Sequence, residues 1–394
     1  MAVAALTERR PRIAERWWLW PLALWGVSRL VSTAFLGALA GVQKASPWTP
    51  AGPDILDYST IWDSHWYYIV AVSGYPSELP LDGDGHIDQN AWAFMPVYPF
   101  LARVLMVVGL PWEGAALLIS VAASAAFALV AYRLFESLCP GRERFALALV
   151  LLSPVAPVLQ LGYAESLFLL LLAGVLLAWR RRAWTWMWAL IPVMSFTRPG
   201  GLALALALAL WFLVRWFGDR ERFPEQERWR VAGLAAWSAL WGFGWLLVCT
   251  VATGSLDAYV ETELSWRSDY IGRQELVPFT PWLIGLEWWF DEWWPLWLVG
   301  IVGAAVALLA GPWARSVAIE GRLWTLAYFV YLAAVWFPQS STWRLLMPAF
   351  TAAVILAGLR PGWARALVLA VSIALQPVWI WFCWHHGVAD WSVP

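Results

Sequence analysis

The chain has 394 residues, of which 61% are hydrophobic and 35 are tryptophan, with a mean hydropathy of +0.61 and a formal net charge of −1. That composition excludes an ordinary soluble domain and points to a polytopic membrane protein, in which the placement of charge matters more than its sum. No basic run suggests nucleic acid, and Cys139, Cys249 and Cys383 lie too far apart for a metal site and are odd in number for a closed disulfide framework.

Apolar runs able to cross roughly 30 Å of hydrocarbon, about 17–25 residues each, are predicted at 18–42, 112–136, 144–160, 163–179, 184–198, 200–217, 231–253, 296–312, 323–337, 344–359 and 362–383. They make a single all-α bundle of about eleven transmembrane helices over residues 1–394. The first run could pass for a signal peptide ending in Ala38-Leu39-Ala40, but its length and Arg29 argue for an uncleaved span. Arg9, Arg10, Arg12, Arg16, Arg142, Arg144, Arg180 to Arg182, the arginines from Arg215 to Arg230, Arg315, Arg322, Arg360 and Arg365 fall on one side, which is then the cytoplasm. The opposite side carries two long loops, 43–111 and 254–295, and no internal repeat of the transporter kind is visible. A multi-pass protein of the cell membrane is expected, with a cytoplasmic N-terminus.

In the first outer loop, "IWDSHWYYIVAVSGYP" at 61–76 reads as a short helix capped by Ser59 or Asp57 and ended by Gly74 and Pro76. Trp62, Trp66, Ile69 and Val70 share one face, expected to lie along the membrane surface. Asp63 and Tyr67 face the other way, toward whatever the outer end of the bundle encloses, and the helix dipole favours the ionised Asp63. A second segment, "AFMPVYPFLARVLMVVGLP" at 93–111, has an apolar core too short to span and implies a second juxtamembrane helix. A lone loop aspartate is ordinarily a surface carboxylate or a cap. Here Glu165, Arg198 and Arg344 stand at the outer ends of three other runs, and their shared depth favours one site over separate snorkelling anchors.

The segments "WDSHWYYIVAVSGY", "FMPVYPFLARVL", "YAESLFLLL", "RRRAWTWMWALIPVMSFTRPGG" and "WRLLMPAF", in that order, resemble the motifs of the PIG-V-like mannosyltransferases of the GT-C class. The resemblance covers most of the chain. It implies a mannosyl donor linked to a polyprenyl phosphate, transfer on the non-cytoplasmic side to a hydroxyl of a lipid-linked glycan acceptor, and a role for the family's Trp-Asp pair at Trp62 and Asp63. In eukaryotic members the acceptor is a glycosylphosphatidylinositol precursor, an assignment that does not carry over.

Inverting transfer from a sugar phosphate needs a base, stabilisation of the departing phosphate and exclusion of water. Asp63 is the candidate base, and Arg198 and Arg344 are the candidates for the phosphate, because a guanidinium stays charged and offers paired donors. Trp62, His65, Tyr67, Tyr98, Glu165 and Arg267 complete the expected substrate-binding set. Glu261, Glu263 and Arg273 in the second outer loop read as solvated charges. No cofactor or metal is expected: Asp82, Asp84 and Asp88 sit in a glycine-rich turn that matches no register of a calcium loop. Arg29 must find a partner inside the first span, and His385 and His386 read as interfacial anchors. The tryptophans of "LEWWFDEWWPLW" read as a membrane-interface belt. The rival reading is a lipid or sugar-lipid transporter or flippase; a noncatalytic scaffold would leave Asp63 unexplained.

Overall fold

Leucine- and alanine-rich runs without interior proline close their own backbone hydrogen bonds, and in hydrocarbon nothing else satisfies them. The computed structural model describes residues 16–218 and 220–385, and among these residues the chain is helical, with only isolated bridges at Ser46–Thr49 and Leu81–Ile87. Helix α1 (Leu19–Ala40) is followed by α2 (Ile55–Tyr58), α3 (Asp63–Ser73) and α4 (Val97–Val107). The central stretch comprises α5 (Trp112–Leu138), α6 (Glu143–Leu151), α7 (Glu165–Arg180), α8 (Trp184–Ser195), α9 (Gly201–Gly218) and α10 (Glu225–Thr253). Beyond it come α11 (Ala258–Ser265), α12 (Ser268–Ile271), α13 (Thr280–Phe290), α14 (Trp294–Ala310), α15 (Ile319–Val335), α16 (Thr342–Leu345), α17 (Ala352–Leu356) and α18 (Gly362–Trp379), which a π-turn extends to Trp384.

Among the described residues, six helical stretches are long and apolar enough to cross a membrane: Leu19–Ala40, Trp112–Leu138, Gly201–Gly218, Glu225–Thr253, Thr280–Ala310 and Gly362–Trp384. The predicted runs 144–160 and 344–359 are not continuous helices. Pro154 and Pro157 break the first after Leu151, and Pro348 interrupts the second, because proline lacks the N–H that the helix ladder needs. The run predicted from 296 starts earlier, at Thr280: the tryptophan-rich segment forms α13 and passes through a short turn at Asp291–Trp293 into α14.

The core lies where α5 meets α7. Ala128 and Ala131 on α5, small side chains that let the two helices approach closely, share one buried cluster with Leu169, Leu172 and Leu176 of α7. At the α9–α10 crossing Gly201 admits no side chain, since a Cβ there would lie 2.8 Å from the Gly242 Cα. Helix α14 is the opposite case, with no buried residue and with Leu296, Val299, Val302 and Val306 all exposed. Such an apolar surface is compatible only with lipid, and the chain is a membrane protein.

Two short helices, α3 and α4, form in the first long loop as expected, but the capping differs. Asp54 caps α2 by accepting from the Leu56 and Asp57 N–H groups at 2.8 and 2.9 Å, and neither Asp57 nor Ser59 caps α3. Helix α3 starts abruptly after Trp62, whose φ of 59° is a conformation that a bulky residue holds only under constraint. It ends at Gly74, whose φ of 76° suits glycine. The stripe expected along the membrane surface is turned inward: Trp62 and Val70 are buried, while His65, Tyr68 and Val72 form the exposed side.

Candidate active site

Helices α3, α7, α11, α15 and α16 and the turn between α8 and α9 converge on a cavity of about 520 Å³. Trp62, Asp63, Tyr67, Glu165, Arg198, Arg267 and Arg344 line it, so most of the residues singled out from sequence come together.

Asp63 is the first residue of α3 and is pinned from several directions. Its own N–H donates to the Tyr163 hydroxyl at 3.2 Å, and the indole of the preceding Trp62 donates to the Trp384 carbonyl at 2.9 Å. Gly162 packs so tightly beneath α3 that a Cβ there would meet the Ser64 Oγ at 2.5 Å. The carboxylate meets Arg344 at 2.5 Å, Arg344 also reaches Glu165 at 3.1 Å, and Arg198 pairs with the same Glu165 oxygen at 2.9 Å. Two carboxylates and two guanidiniums thus form one mutually neutralising chain, with Arg344 stacked 4.9 Å over the Tyr163 ring. Glu165 opens α7, where the helix dipole favours its charge. Arg344 is buried, and losing one carboxylate would leave it a single partner; the cost of an under-compensated buried charge, rather than the pairing itself, is the large effect.

A second wall comes from α11. Arg267 donates to the Glu263 carbonyl and lies 4.7 Å over Trp336 and 5.6 Å from Phe337. Burial lowers the Arg267 pKa, opposed by Glu263 and Tyr259. Burial likewise raises the Glu263 pKa, opposed by Arg267 and by a hydrogen bond with Tyr259. Trp66 stands edge-on to Trp266 at 5.3 Å and stacks on Phe94 at 5.8 Å, giving an aromatic lining between the walls. Glu263 was expected among solvated loop charges and Trp66 on the membrane-facing stripe, and the structure turns both into the cavity; Tyr259, Trp266 and Tyr331 also line it without having been singled out.

Two expected site residues lie off the cavity wall. Tyr98 is fully buried behind Tyr67, and its hydroxyl donates to the Ala116 carbonyl at 2.9 Å beside the Ser120 Oγ, because its position on α4 faces α5. His65 points outward, edge-on to Trp48 at 5.4 Å, on the exposed side of α3.

Arg29 is buried and donates to the Ala156 carbonyl at 2.8 Å, the Gln160 Oε1 at 3.2 Å and the Leu151 carbonyl at 3.4 Å, closing the carbonyls freed where α6 breaks. In the glycine-rich turn, one Asp82 oxygen accepts from the Asp84 and His86 N–H groups, and the other pairs with Arg273 at 2.6 Å. Arg273 thus ties the two long loops together, and it holds the Asp82 carboxyl down to about 2. Among the described residues no three His, Cys, Asp or Glu side chains gather to hold a metal. His385 stacks on Trp381 at 4.5 Å, and His386 lies outside the described residues.

No family model and no curated protein matches the chain. Among solved structures it is similar to ArnT from Cupriavidus metallidurans bound to undecaprenyl phosphate, with 17% identity and a TM-score of 0.49 over 89% of this chain and 62% of that one. The same protein in the apo state gives 16% identity and a TM-score of 0.46 over 87% and 61%. The chain therefore spans about 62% of the length of the structure it matches.

Proposed function

We propose that the chain is an inverting glycosyltransferase of the GT-C class that moves a mannosyl residue from a polyprenyl-phosphate donor to a hydroxyl of a lipid-linked glycan, on the extracytoplasmic face of the cell membrane. One observation carries the reading: the Asp63 carboxylate and the guanidiniums of Arg344 and Arg198 share a single aromatic-walled cavity. The order of sequence motifs supports the mannosyl donor, and the arginine distribution supports the orientation.

In this reaction the donor phosphate takes up donors of Arg344 and Arg198, whose charges offset those of its oxygens. Arg344 pairs with Asp63, so a phosphate that recruits Arg344 releases a carboxylate oxygen. That oxygen accepts the proton of the acceptor hydroxyl as the new bond to the anomeric carbon forms. The bond from that carbon to the phosphate oxygen breaks with its electron pair on the phosphate, and no covalent sugar intermediate arises. Tyr67 and Trp66 shield the centre from water.

Purified wild-type protein supplied with radiolabelled polyprenyl-phosphate mannose and a total lipid extract is expected to yield a labelled glycolipid. Asp63→Asn and Asp63→Ala are expected to lower that turnover by about 10³-fold per folded molecule, with the folded fraction measured separately because Arg344 keeps only Glu165. Full turnover in either variant removes the proposed base, and no labelled product from wild type removes the reaction.

A further inference from the structure

We propose that Glu263 reads a hydroxyl of the transferred sugar, which makes the α11 wall the sugar-specificity subsite of the cavity. This rests on the glycosyl-transfer reading above.

The cavity has two chemically different walls. On the first, Asp63, Glu165, Arg198 and Arg344 balance one another, and the arginines are the groups an anionic phosphate would choose. On the second, Glu263 presents a carboxyl to the same space, steadied by the Tyr259 hydroxyl and offset by the Arg267 guanidinium, so this wall brings no surplus positive charge for a phosphate. A neutral, hydroxyl-rich group suits that wall, because a carboxyl accepts from hydroxyls and the neighbouring rings offer flat apolar faces to the C–H side of a pyranose. Trp66, Trp266 and Trp336 provide those faces. Glu263 also senses the charges of Arg198 and Asp63, so the two walls act over one small space. A sugar whose anomeric carbon lies between the phosphate and Asp63 projects its remaining hydroxyls onto the surrounding wall, and Glu263 is the carboxyl there that the arginine chain does not engage. Arg267 fixes the backbone of that wall by donating to the Glu263 carbonyl while it stacks on Trp336.

The test compares two lipids on full-length protein in nanodiscs: undecaprenyl phosphate and undecaprenyl-phosphate mannose. Wild type is expected to bind the sugar-bearing lipid about tenfold more tightly, the worth of one hydrogen bond to a carboxyl plus ring contact. Glu263→Ala is expected to erase that preference while affinity for the bare phosphate lipid stays within about twofold. Tyr259→Phe, a milder change that removes only the hydroxyl steadying the carboxyl, is expected to reduce the preference to about threefold. A preference that survives in Glu263→Ala overturns the assignment, as does an equal loss of affinity for both lipids, which would mark a packing role. Wild type that binds the bare lipid without any preference overturns it too. Wild type that binds neither lipid overturns the glycosyl-transfer reading and this assignment with it.

Discussion

Arg29 and Arg344 are both buried arginines of an apolar bundle, yet they are held in opposite ways. Arg29 sits in a closed interior and spends its donors on the Ala156 and Leu151 carbonyls at the break after α6 and on the side-chain oxygen of Gln160. Arg344 faces a cavity and meets two carboxylates, Asp63 and Glu165. An intramembrane charge is commonly taken as a mark of function. The difference teaches that the partner set is the better guide. Carbonyls repair backbone, whereas carboxylates beside open space leave a cation able to exchange partners with an incoming anion.

Replacing each arginine tests that distinction. Arg344→Met strands Asp63 and leaves Glu165 with Arg198 alone, and it is expected to cost about 3–5 kcal/mol in stability and to abolish binding of undecaprenyl phosphate. Thermal unfolding and lipid titration read the two effects. Arg29→Met leaves carbonyls short of donors and is expected to cost about 1–3 kcal/mol, with lipid affinity unchanged in the protein that remains folded. Equal loss of lipid binding in both variants would break the contrast. The smallest effect belongs to the exposed Asp82–Arg273 pair. The Asp82 carboxyl is lower in the folded state than its ordinary value, so its contribution is present above roughly pH 4 and is lost as the pH falls toward about 2. Arg273→Ala is expected to lower stability by a small, constant amount above roughly pH 4 and to leave it unchanged below about pH 2, measured by unfolding at stepped pH, and an equal loss at pH 2 would show that the strap does more than pair with Asp82.

The reach of sequence reasoning follows the same physics. Glu165, Arg198 and Arg344 were legible because each is an ionisable residue at the end of an apolar run, where burial without a partner is costly. Glu263 was hidden because "YVETELSWRSDY" has no apolar stripe to set its inner face. What turns α11 inward is remote: the Asn90 amide donates to the Thr262 hydroxyl at 2.7 Å, across 172 residues of sequence. Tyr98 lies off the cavity wall for the complementary reason, since its motif locates α4 but cannot say which side of that helix meets α5. The breaks after Leu151 and around Pro348 escaped because an averaged hydropathy treats proline as one more weakly polar residue, while the helix ladder does not.

The two indoles around α3 tie distant parts of the polypeptide to each other. Trp62 donates to the Trp384 carbonyl at 2.9 Å, and Trp384 donates to the Tyr58 carbonyl at 2.8 Å, over separations of 322 and 326 residues. During synthesis the aspartate-bearing helix therefore enters the bilayer long before its clasp exists. A nascent chain halted ahead of the π-turn has the Tyr163 hydroxyl to hold Asp63 but lacks the carbonyl that takes up the Trp62 indole, so the clasp around α3 closes only once the π-turn has been made.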